Sequence, residues 1–391
     1  MGGEQQKLSQ KELCSHMRIG IDATAVPPKP MGAGRYIVYL IHEVGKLDTH
    51  HQFIIFAQEY LHPYLADCDH ENVRIVWIKN MHPAYRLVWE QTAFLRLIRH
   101  WNLDLLHSPH YTMPLLHPIP SVVTFHDLIF FLHPEKHTLA KRYFFPWMMR
   151  RSSKKADRIV TDSESTRRDA MRLLNIPSDK ITTVHLGYQE IFRKITDQTL
   201  LGSIRKKYSL PNQFIFYAGT IEPRKNVPLL LSAFEQLVQQ GIPHHLVMTG
   251  GLGWGYEDVL AQIDSMHARE RVHRVGHVPS SELPVFYNLA EVFVYPSIYE
   301  GFGLPPLEGM ACGTPVITSN ISSMPEFVGD AGILVEPNDE GALFQAIRQV
   351  LEDEGLRQRL AIEGPRQAAN FTWRHTAENT LKIYDEVLAS R

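Results

Sequence analysis

The chain has few cysteines, no long apolar run and almost no net charge. Its 391 residues include three cysteines, Cys14, Cys68 and Cys312, without paired or metal-like spacing. This excludes a disulfide framework and favours a reducing compartment. No apolar stretch approaches the roughly 20 residues that a membrane-spanning helix needs. The first 16 residues lack the apolar core of a secretory signal, so we expect a cytoplasmic protein with residues 1–16 as a flexible extension.

The charge of the chain is nearly balanced, but its two halves differ in sign. The formal net charge is −2 at pH 7. Residues 1–197 hold 25 Lys and Arg against 20 Asp and Glu, whereas residues 198–391 hold 15 against 22. This asymmetry suits an anionic partner for the first half, and it is far too mild to indicate a nucleic acid.

Length and periodicity predict two α/β domains. A chain of 391 residues suits two domains of roughly 150–200 residues each. Short apolar runs alternate with helical patterns, which favours mostly parallel sheets facing a cleft. We predict strands at residues 18–22, 53–56, 73–78, 104–107, 121–125 and 158–161, and again at 214–217, 245–248, 272–275, 292–295 and 315–318. The long predicted helices are 36–46, 85–100, 139–155, 338–353, 356–369 and 376–389, and a polar linker is predicted at 192–212.

The segment from Ser297 to Glu308 is the most informative motif. It places Glu300 and Glu308 eight residues apart, with two glycines and two prolines between them. A predicted strand precedes it, and a predicted helix from about Leu307 to Ala311 follows. Amides at such a strand-to-helix turn can hold an anion or a sugar hydroxyl. Two carboxylates beside these donors suit a sugar nucleotide.

Three further motifs also follow predicted strands. Gly32-Ala-Gly34 precedes the first helix, where a phosphate could bind or a tight turn could simply be needed. Arg224 and Lys225 lie between the second domain's first strand and the helix that follows, where they could neutralise a diphosphate or form a solvated turn. His126 ends a strongly apolar strand and could donate to a sugar hydroxyl or help proton transfer. A structural histidine is the alternative.

These motifs together resemble those of the retaining GT-B glycosyltransferases of glycosyltransferase family four, group 1 type, over nearly all of residues 17–391. The elements that carry the resemblance are Glu300-x7-Glu308, Pro-Arg-Lys-Asn at 223–226, Gly-Thr-Pro-Val at 313–316 and Gly-Asp-Ala-Gly at 329–332. The resemblance implies two Rossmann-like domains, at 17–197 and 198–374, facing an interdomain cleft. It also implies a last helix, 375–391, that crosses back to the first domain.

The resemblance also implies roles for individual residues. Arg224 and Lys225 would bind the donor diphosphate, Glu300 the donor sugar and Glu308 the ribose. Catalytic roles would fall to His126, beside the anomeric carbon, together with Arg224, Lys225 and Glu300. Other donor contacts would come from the following residues: Gly34, Val278, Phe302, Gly303 and Leu304. No metal and no cofactor are expected, because the Arg-Lys pair would neutralise the diphosphate.

The expected function is transfer of a hexose from a nucleotide diphosphate sugar to a hydroxyl of a glycan or lipid-linked acceptor, with retention of configuration. The sequence as a whole resembles bacterial mannosyltransferases of surface-polysaccharide assembly, which favours GDP-mannose as the donor. A sugar-nucleotide epimerase or a phosphorylase on the same fold is one alternative. An inert sugar-nucleotide-binding module is another.

A basic and aromatic helix, predicted at 139–155, raises the question of a membrane. It could lie on an anionic membrane surface, which would suit a lipid-linked acceptor at the inner face. An ordinary buried domain helix fits the same sequence and is favoured over the membrane contact.

Overall fold

The computed structural model describes residues 16–68, 70–134 and 138–390, so residues 1–15 of the predicted extension lie outside it. The chain forms two compact units. The first unit extends to His185 and includes the chain from Trp373 onward, and the second is Leu186–Thr372. The second unit thus begins ahead of residue 198, the predicted start of the second domain.

The first unit is built on a seven-stranded sheet in which all neighbouring strands are parallel. Its order is β3-β2-β1-β4-β5-β6-β7. The five inner strands are mostly apolar and buried, as expected for a parallel sheet covered on both faces, whereas the edge strands β3 and β7 have one buried residue each. Their bounds are β1 Arg18–Asp22, β2 Gln52–Gln58, β3 Val73–Ile78, β4 Leu105–Ser108, β5 Ser121–Phe125, β6 Arg158–Thr161 and β7 Ile181–Thr183.

Helices of the first unit connect these strands, and the last helix of the chain joins them. The last helix is tied to the sheet, because the ring Nδ1 of His107 lies 2.6 Å from the hydroxyl of Tyr384. The helices of the first unit are α1 Ala33–Lys46, α2 His62–Leu65, α3 Pro83–Gln91, α4 Ala93–His100, α5 Ile129–Leu132, α6 Leu139–Lys155, α7 Glu164–Leu174 and α16 Trp373–Ala389.

The second unit has a six-stranded parallel sheet in the order β10-β9-β8-β11-β12-β13. Its strands are β8 Phe214–Ala218, β9 His245–Thr249, β10 Val272–Gly276, β11 Val292–Tyr295, β12 Val316–Ser319 and β13 Ile333–Val335. Its helices are α8 Gln198–Lys207, α9 Val227–Gln239, α10 Glu257–Ser265, α11 Leu283–Leu289, α12 Leu304–Ala311, α13 Met324–Val328, α14 Glu340–Glu352 and α15 Glu354–Ala368. The predicted α/β class with two Rossmann-like parallel-sheet domains is confirmed.

Several predicted elements were wrong in detail. The helix predicted at 85–100 is two helices, α3 and α4, because Thr92 leaves helical geometry with φ −129° and ψ −81°. The predicted linker at 192–212 contains α8, whose first amides are capped by the Asp197 carboxylate. The three-residue strands β7 and β13 were not predicted. Within the described residues, no helix is both long and apolar enough to cross a bilayer.

Candidate active site

The loop between β11 and α12 carries Glu300 and Glu308, and its geometry depends on Gly303. Gly303 has φ +108°, a left-handed conformation that residues with a Cβ rarely adopt. Helix α12 therefore starts at Leu304, three residues before the predicted start. Pro305 and Pro306 occupy its first turn, where a missing N–H costs nothing. Glu308 lies in the middle of this short helix and is 3% exposed.

Arg224 and Lys225 lie at the carboxyl end of β8, next to β11 in the sheet. They form a single 3-10 turn, Pro223–Lys225, that ends at Asn226 in a left-handed conformation with φ 53°. Because parallel strands all end at one edge of a sheet, this turn meets the loop that follows β11. The contact is direct, since the Ile298 amide donates to the Arg224 carbonyl at 2.9 Å.

Glu300 is the centre of a buried ion network, defined here as Arg224, Lys225, Glu300, Tyr295 and Ser297. Its Oε2 lies 2.6 Å from Arg224 Nη1. Its Oε1 accepts from Lys225 Nζ at 2.5 Å, from Ser297 Oγ at 2.7 Å and from Tyr295 Oη at 3.0 Å. Lys225 also donates to the Tyr295 hydroxyl. Charged groups in such contacts are held far more rigidly than surface ion pairs.

The network fixes the ionisation state of Glu300. Burial opposes the charged form, but Arg224 and Lys225 outweigh burial and lower the pKa of Glu300 to about 2. For Lys225, burial is the larger effect and its pKa is lowered in spite of Glu300. The pKa of Arg224 is raised, because Glu300 and Glu222 outweigh its burial. Glu300 therefore stays ionised at neutral pH and cannot act as a general acid.

Tyr295 and Ser297 are members of the network to which the sequence assigned no role. Tyr295 is the last residue of β11 and 1% exposed, and Ser297 is equally buried. Tyr295 was assigned only as part of an apolar strand, and its hydroxyl gives no pattern in the sequence. Its position at the carboxyl end of a central strand was the one available signal.

The other predicted donor-binding residues of the second unit follow strand ends at the same edge. Ser323 Oγ donates to the Phe302 carbonyl at 2.5 Å and so anchors the loop before α12. Val278, 6% exposed, follows the edge strand β10. Tyr287 Oη lies 3.4 Å from Glu308 Oε2. The edge thus collects Val278, the Arg-Lys turn and the Glu300 loop.

Gly34 and His126 lie in the first unit. Gly34 is in the first turn of α1, and its amide donates to the Met31 carbonyl at 2.9 Å. A Cβ at Gly34 would lie 3.1 Å from Pro27 Cδ and 3.4 Å from Val26 Cγ1, so the residue allows the preceding loop to pack closely. The amide assigned to phosphate is therefore already engaged in this conformation.

His126 directly follows β5, which ends at Phe125, and it is 6% exposed. Its Nδ1 lies 2.8 Å from Asp162 Oδ2, and its Nε2 lies 2.9 Å from the Pro109 carbonyl oxygen. Both ring nitrogens are thus occupied by groups of the same unit. In this conformation, the ring offers no nitrogen to a sugar hydroxyl, which is the role that the sequence suggested. No cluster of three or more potential metal ligands occurs among residues 16–68, 70–134 and 138–390.

Comparison with known families assigns a description to each half of the chain. Residues 203–367 match the family described as glycosyl transferases group 1. Residues 30–189 match glycosyltransferase family 4. The Glu300 network lies inside the first match, and Gly34 and His126 lie inside the second.

Curated relatives extend the likeness. Over 305 residues the chain is 37% identical to O-antigen chain mannosyltransferase B of Escherichia coli, covering 77% of this chain and 79% of that protein. It is 32% identical over 297 residues to the serotype-specific mannosyltransferase WbdA of Escherichia coli. The matched region covers 73% of this chain but 36% of WbdA.

Two solved structures share the fold at low identity. HepE of Anabaena, solved in complex with UDP-glucose, has a TM-score of 0.75 at 18% identity, covering 95% of this chain and 100% of that chain. A glycosyltransferase from Rickettsia africae has a TM-score of 0.74 at 19% identity, covering 95% and 99%.

Proposed function

Since the chain belongs to the family 4 glycosyltransferases, with a group 1 domain and a GT-B fold, we propose that it transfers mannose from GDP-mannose to a glycan or lipid-linked acceptor and retains the anomeric configuration. The observation that carries this proposal is the buried network of Glu300 with Arg224 and Lys225. Two cations at a sheet edge, a buried Lys225 and a partly exposed Arg224, suit a diphosphate leaving group. The choice of mannose rests on the Escherichia coli relatives, which are mannosyltransferases.

In the proposed reaction, the bond between the anomeric carbon and the diphosphate oxygen breaks while a bond to the acceptor oxygen forms on the same face. The acceptor proton passes to the leaving phosphate oxygen. Arg224 and Lys225 stabilise the charge that develops on this phosphate, so no metal ion is needed. With its pKa lowered to about 2, Glu300 acts as an acceptor for sugar hydroxyls and not as an acid.

Donor binding requires the ion network to rearrange. Glu222 also pairs with Arg224, at 2.7 Å. The carboxylates of Glu222 and Glu300 therefore balance the charges of Arg224 and Lys225, and the four ionised side chains carry no net charge. An incoming diphosphate adds negative charge, which the two cations can take up only if Glu300 turns toward the sugar. We propose that this exchange couples sugar recognition to charge neutralisation.

The remaining donor contacts are proposed on the same basis. The amides of Phe302, Gly303 and Leu304 at the start of α12 bind sugar or phosphate, and Glu308 binds the ribose. Val278 lies near the nucleotide base. These roles rest on the position of each residue at the sheet edge.

The primary test is a transfer assay with GDP-mannose, UDP-glucose and other nucleotide sugars, with and without oligomannose acceptors. We expect GDP release that depends on the acceptor, and an α-linked product from the α-linked donor. Lys225→Ala should lower the transfer rate at least about 10²-fold, comparable to losing one donor to a developing oxyanion. Lys207→Ala is a matched control, because Lys207 pairs with Glu282 on an exposed surface.

Four outcomes would contradict the proposal or part of it. Conversion of the donor sugar without an acceptor would indicate an epimerase, and phosphate-dependent cleavage of a glycan would indicate a phosphorylase. A rise in melting temperature with GDP-mannose but no turnover would indicate an inert binding module. A near-wild-type rate for Lys225→Ala would remove Lys225 from the mechanism.

We also propose that α6 contacts the inner face of an anionic membrane. The residues of α6 that face solvent define a basic aromatic face: Leu139, Lys141, Arg142, Tyr143, Trp147, Arg150, Arg151, Lys154 and Lys155. Leu139, Tyr143 and Trp147 recur every four residues and are 70%, 68% and 49% exposed. The helix carries six cations and no carboxylate. Apolar side chains flanked by cations match the interface of an anionic bilayer.

Vesicle co-sedimentation tests this contact. Wild type should bind vesicles of phosphatidylglycerol and phosphatidylcholine, should bind pure phosphatidylcholine weakly, and should be released by high salt. Tyr143→Ser with Trp147→Ser should reduce the bound fraction severalfold. The control Tyr85→Ser with Val88→Ser removes side chains on α3 that are 62% and 58% exposed, and it should bind like wild type. Absence of wild-type binding at low salt would rule out the membrane contact.

A further inference from the structure

The imidazole of His126 lies between two groups that can only accept hydrogen bonds. The Pro109 carbonyl faces Nε2 at 2.9 Å, and the Asp162 carboxylate faces Nδ1 at 2.8 Å. A neutral imidazole carries one N–H and could satisfy only one of them. Both bonds form only if the His126–Asp162 pair holds two protons, one on Nε2 and one shared between Nδ1 and Oδ2. Such a pair is neutral overall, which suits residues that are 6% and 3% exposed.

The surroundings of the pair favour this protonated state. Burial lowers the pKa of His126, but the Asp162 carboxylate and both hydrogen bonds outweigh burial and raise it above the usual range. The pKa values of His107 and His110 are lowered to about 3 by burial and by the charge on His126. The titratable and charged groups around the pair are Tyr36, Arg86, His107, His110, Tyr111, Asp127 and His185. Of the three histidines His107, His110 and His126, His126 is therefore the one that carries a positive charge.

The Pro109 carbonyl belongs to a strained turn that follows β4. Tyr111 has φ 26°, an unfavourable conformation for a bulky residue. The turn is held by the Tyr111 amide, which donates to the Thr124 carbonyl at 3.0 Å. It is also held through Thr112, whose Oγ1 donates to Glu90 at 2.8 Å. Strain of this kind persists only where the surrounding contacts enforce it.

This turn lies at the edge of the first sheet where parallel strands end and where ligands of α/β domains bind. His110 in the turn is partly exposed, and its ring centroid is 6.1 Å from that of His126. Because His110 stays neutral, its ring offers one donor and one acceptor, as a sugar hydroxyl requires. The His126 bond to Pro109 fixes the backbone immediately before it.

We propose that Asp162 is a positioning residue which keeps both ring nitrogens of His126 donating, so that the Pro109–Tyr111 turn holds the shape that recognises the hydroxyls of a sugar acceptor. This inference rests on the proposed transferase function. It assigns Asp162 no contact with substrate. Its effect reaches the acceptor through His126 and the Pro109 carbonyl.

Asp162→Asn is the sharpest test, because the amide keeps the shape of the side chain and removes its charge. Above the ordinary histidine pKa of about 6.5, the ring of the variant is neutral. Its Nδ1 then accepts from the N–H of the introduced amide, and its Nε2–H donates to the Pro109 carbonyl without the positive charge that strengthens this bond. We expect the acceptor KM of the variant to rise about tenfold at pH 8 and to recover toward the wild-type value at pH 5.5. The wild-type acceptor KM should rise only at higher pH, and the donor KM should not change.

Asp169→Asn is the matched control, because Asp169 pairs with Arg172 on the surface of α7 in the same unit. It should leave both KM values and their pH dependence unchanged. An acceptor KM for Asp162→Asn within twofold of wild type at pH 8 would overturn the proposal. Equal rises in acceptor and donor KM would do the same, since they indicate general damage. Absence of transfer by wild type would instead contradict the proposed function.

A direct measurement covers the case in which Asp162→Asn does not fold. In wild-type protein labelled with ¹⁵N-histidine, the His126 signals are identified by their loss in His126→Gln. At pH 7.5, both ring nitrogens should show the ¹⁵N chemical shifts of a protonated imidazole, or those of an imidazole that shares its Nδ1 proton with a carboxylate. A neutral ring with one bare nitrogen at this pH would overturn the proposal.

Discussion

At the scale of single residues, Glu300 shows how one carboxylate can organise a charged site. Four side chains contact its two oxygens, and two of these are cations. The neutral members, Tyr295 and Ser297, complete the hydrogen bonding of a group that is 8% exposed. A buried charge without such partners would cost several kcal/mol of stability. The position of Glu300 is therefore a property of the whole network.

Tyr295→Phe tests this view of the network. The substitution removes a hydroxyl that accepts from Lys225 and donates to Glu300. Hydrogen bonds to charged groups contribute about 1.5–3 kcal/mol each, so the loss of both should lower the unfolding free energy by about 3 kcal/mol or more, and we expect a roughly tenfold lower kcat. Tyr217→Phe is the control, because Tyr217 stacks on Tyr295 but donates to the Thr220 carbonyl instead. Equal effects of the two substitutions on kcat would contradict a specific role for Tyr295.

At the scale of elements, the start of α12 depends on a single glycine. A Cβ at Gly303 would lie 2.6 Å from Met324 Cε and 3.0 Å from Met324 Sδ, in addition to the cost of its positive φ. We expect Gly303→Ala to lower the unfolding free energy by about 1–3 kcal/mol and to weaken donor binding, as measured by urea titration and calorimetry. Adding Met324→Ala should relieve the clash but leave the backbone strain.

Gly202→Ala is the control for this prediction. Gly202 lies inside α8, and a Cβ there would meet nothing within 4 Å. Because glycine is unfavourable in a helix interior, alanine should stabilise the protein by about 0.5–1 kcal/mol. If both alanine variants were equally stable, the conformation of Gly303 would not govern the start of α12.

Element-level prediction succeeded where apolar runs were long and failed where local geometry decided. The apolar runs at 73–78 and 121–125 gave β3 and β5 with the predicted bounds. The three-residue strands β7 and β13 are too short for any periodicity to appear. Pro305 and Pro306 hid the true start of α12, since prolines both end helices and occupy their first turns.

The candidate site was predictable in a similar way. Sequence placed Arg224, Lys225 and Glu300 at strand ends, and the structure brings these three into contact. Tyr295 could not be found, because strand periodicity does not reveal that a tyrosine's hydroxyl points toward an ion pair. The pairing of His126 with Asp162 joins residues 36 positions apart, and no local pattern reports it.

At the scale of the whole molecule, buried carboxyl groups of the two units should make stability depend on pH in opposite directions. The pKa of Glu300, in the second unit, is lowered to about 2, so its stabilisation is present above pH 4.5 and is lost as pH falls toward 2. The pKa of Glu90, in the first unit, is raised to about 7 by burial and by Asp22, although Arg86 opposes this. The folded state therefore keeps a proton on Glu90 that the unfolded chain releases near pH 4.5.

The Glu90 effect can be isolated by Glu90→Gln. Between about pH 4.5 and 7 the native protein binds more protons at this site than the unfolded chain, so the unfolding free energy falls as pH rises. The loss of this proton between pH 4.5 and 7 lowers the unfolding free energy by about 3 kcal/mol. In urea titrations at pH 5, 6, 7 and 8, the unfolding free energy of wild type should therefore fall relative to that of Glu90→Gln as pH rises. Glu43→Gln, at an exposed pair with Lys46, should keep the wild-type slope. Parallel slopes for wild type and Glu90→Gln would mean that Glu90 is ionised in the folded protein throughout this range.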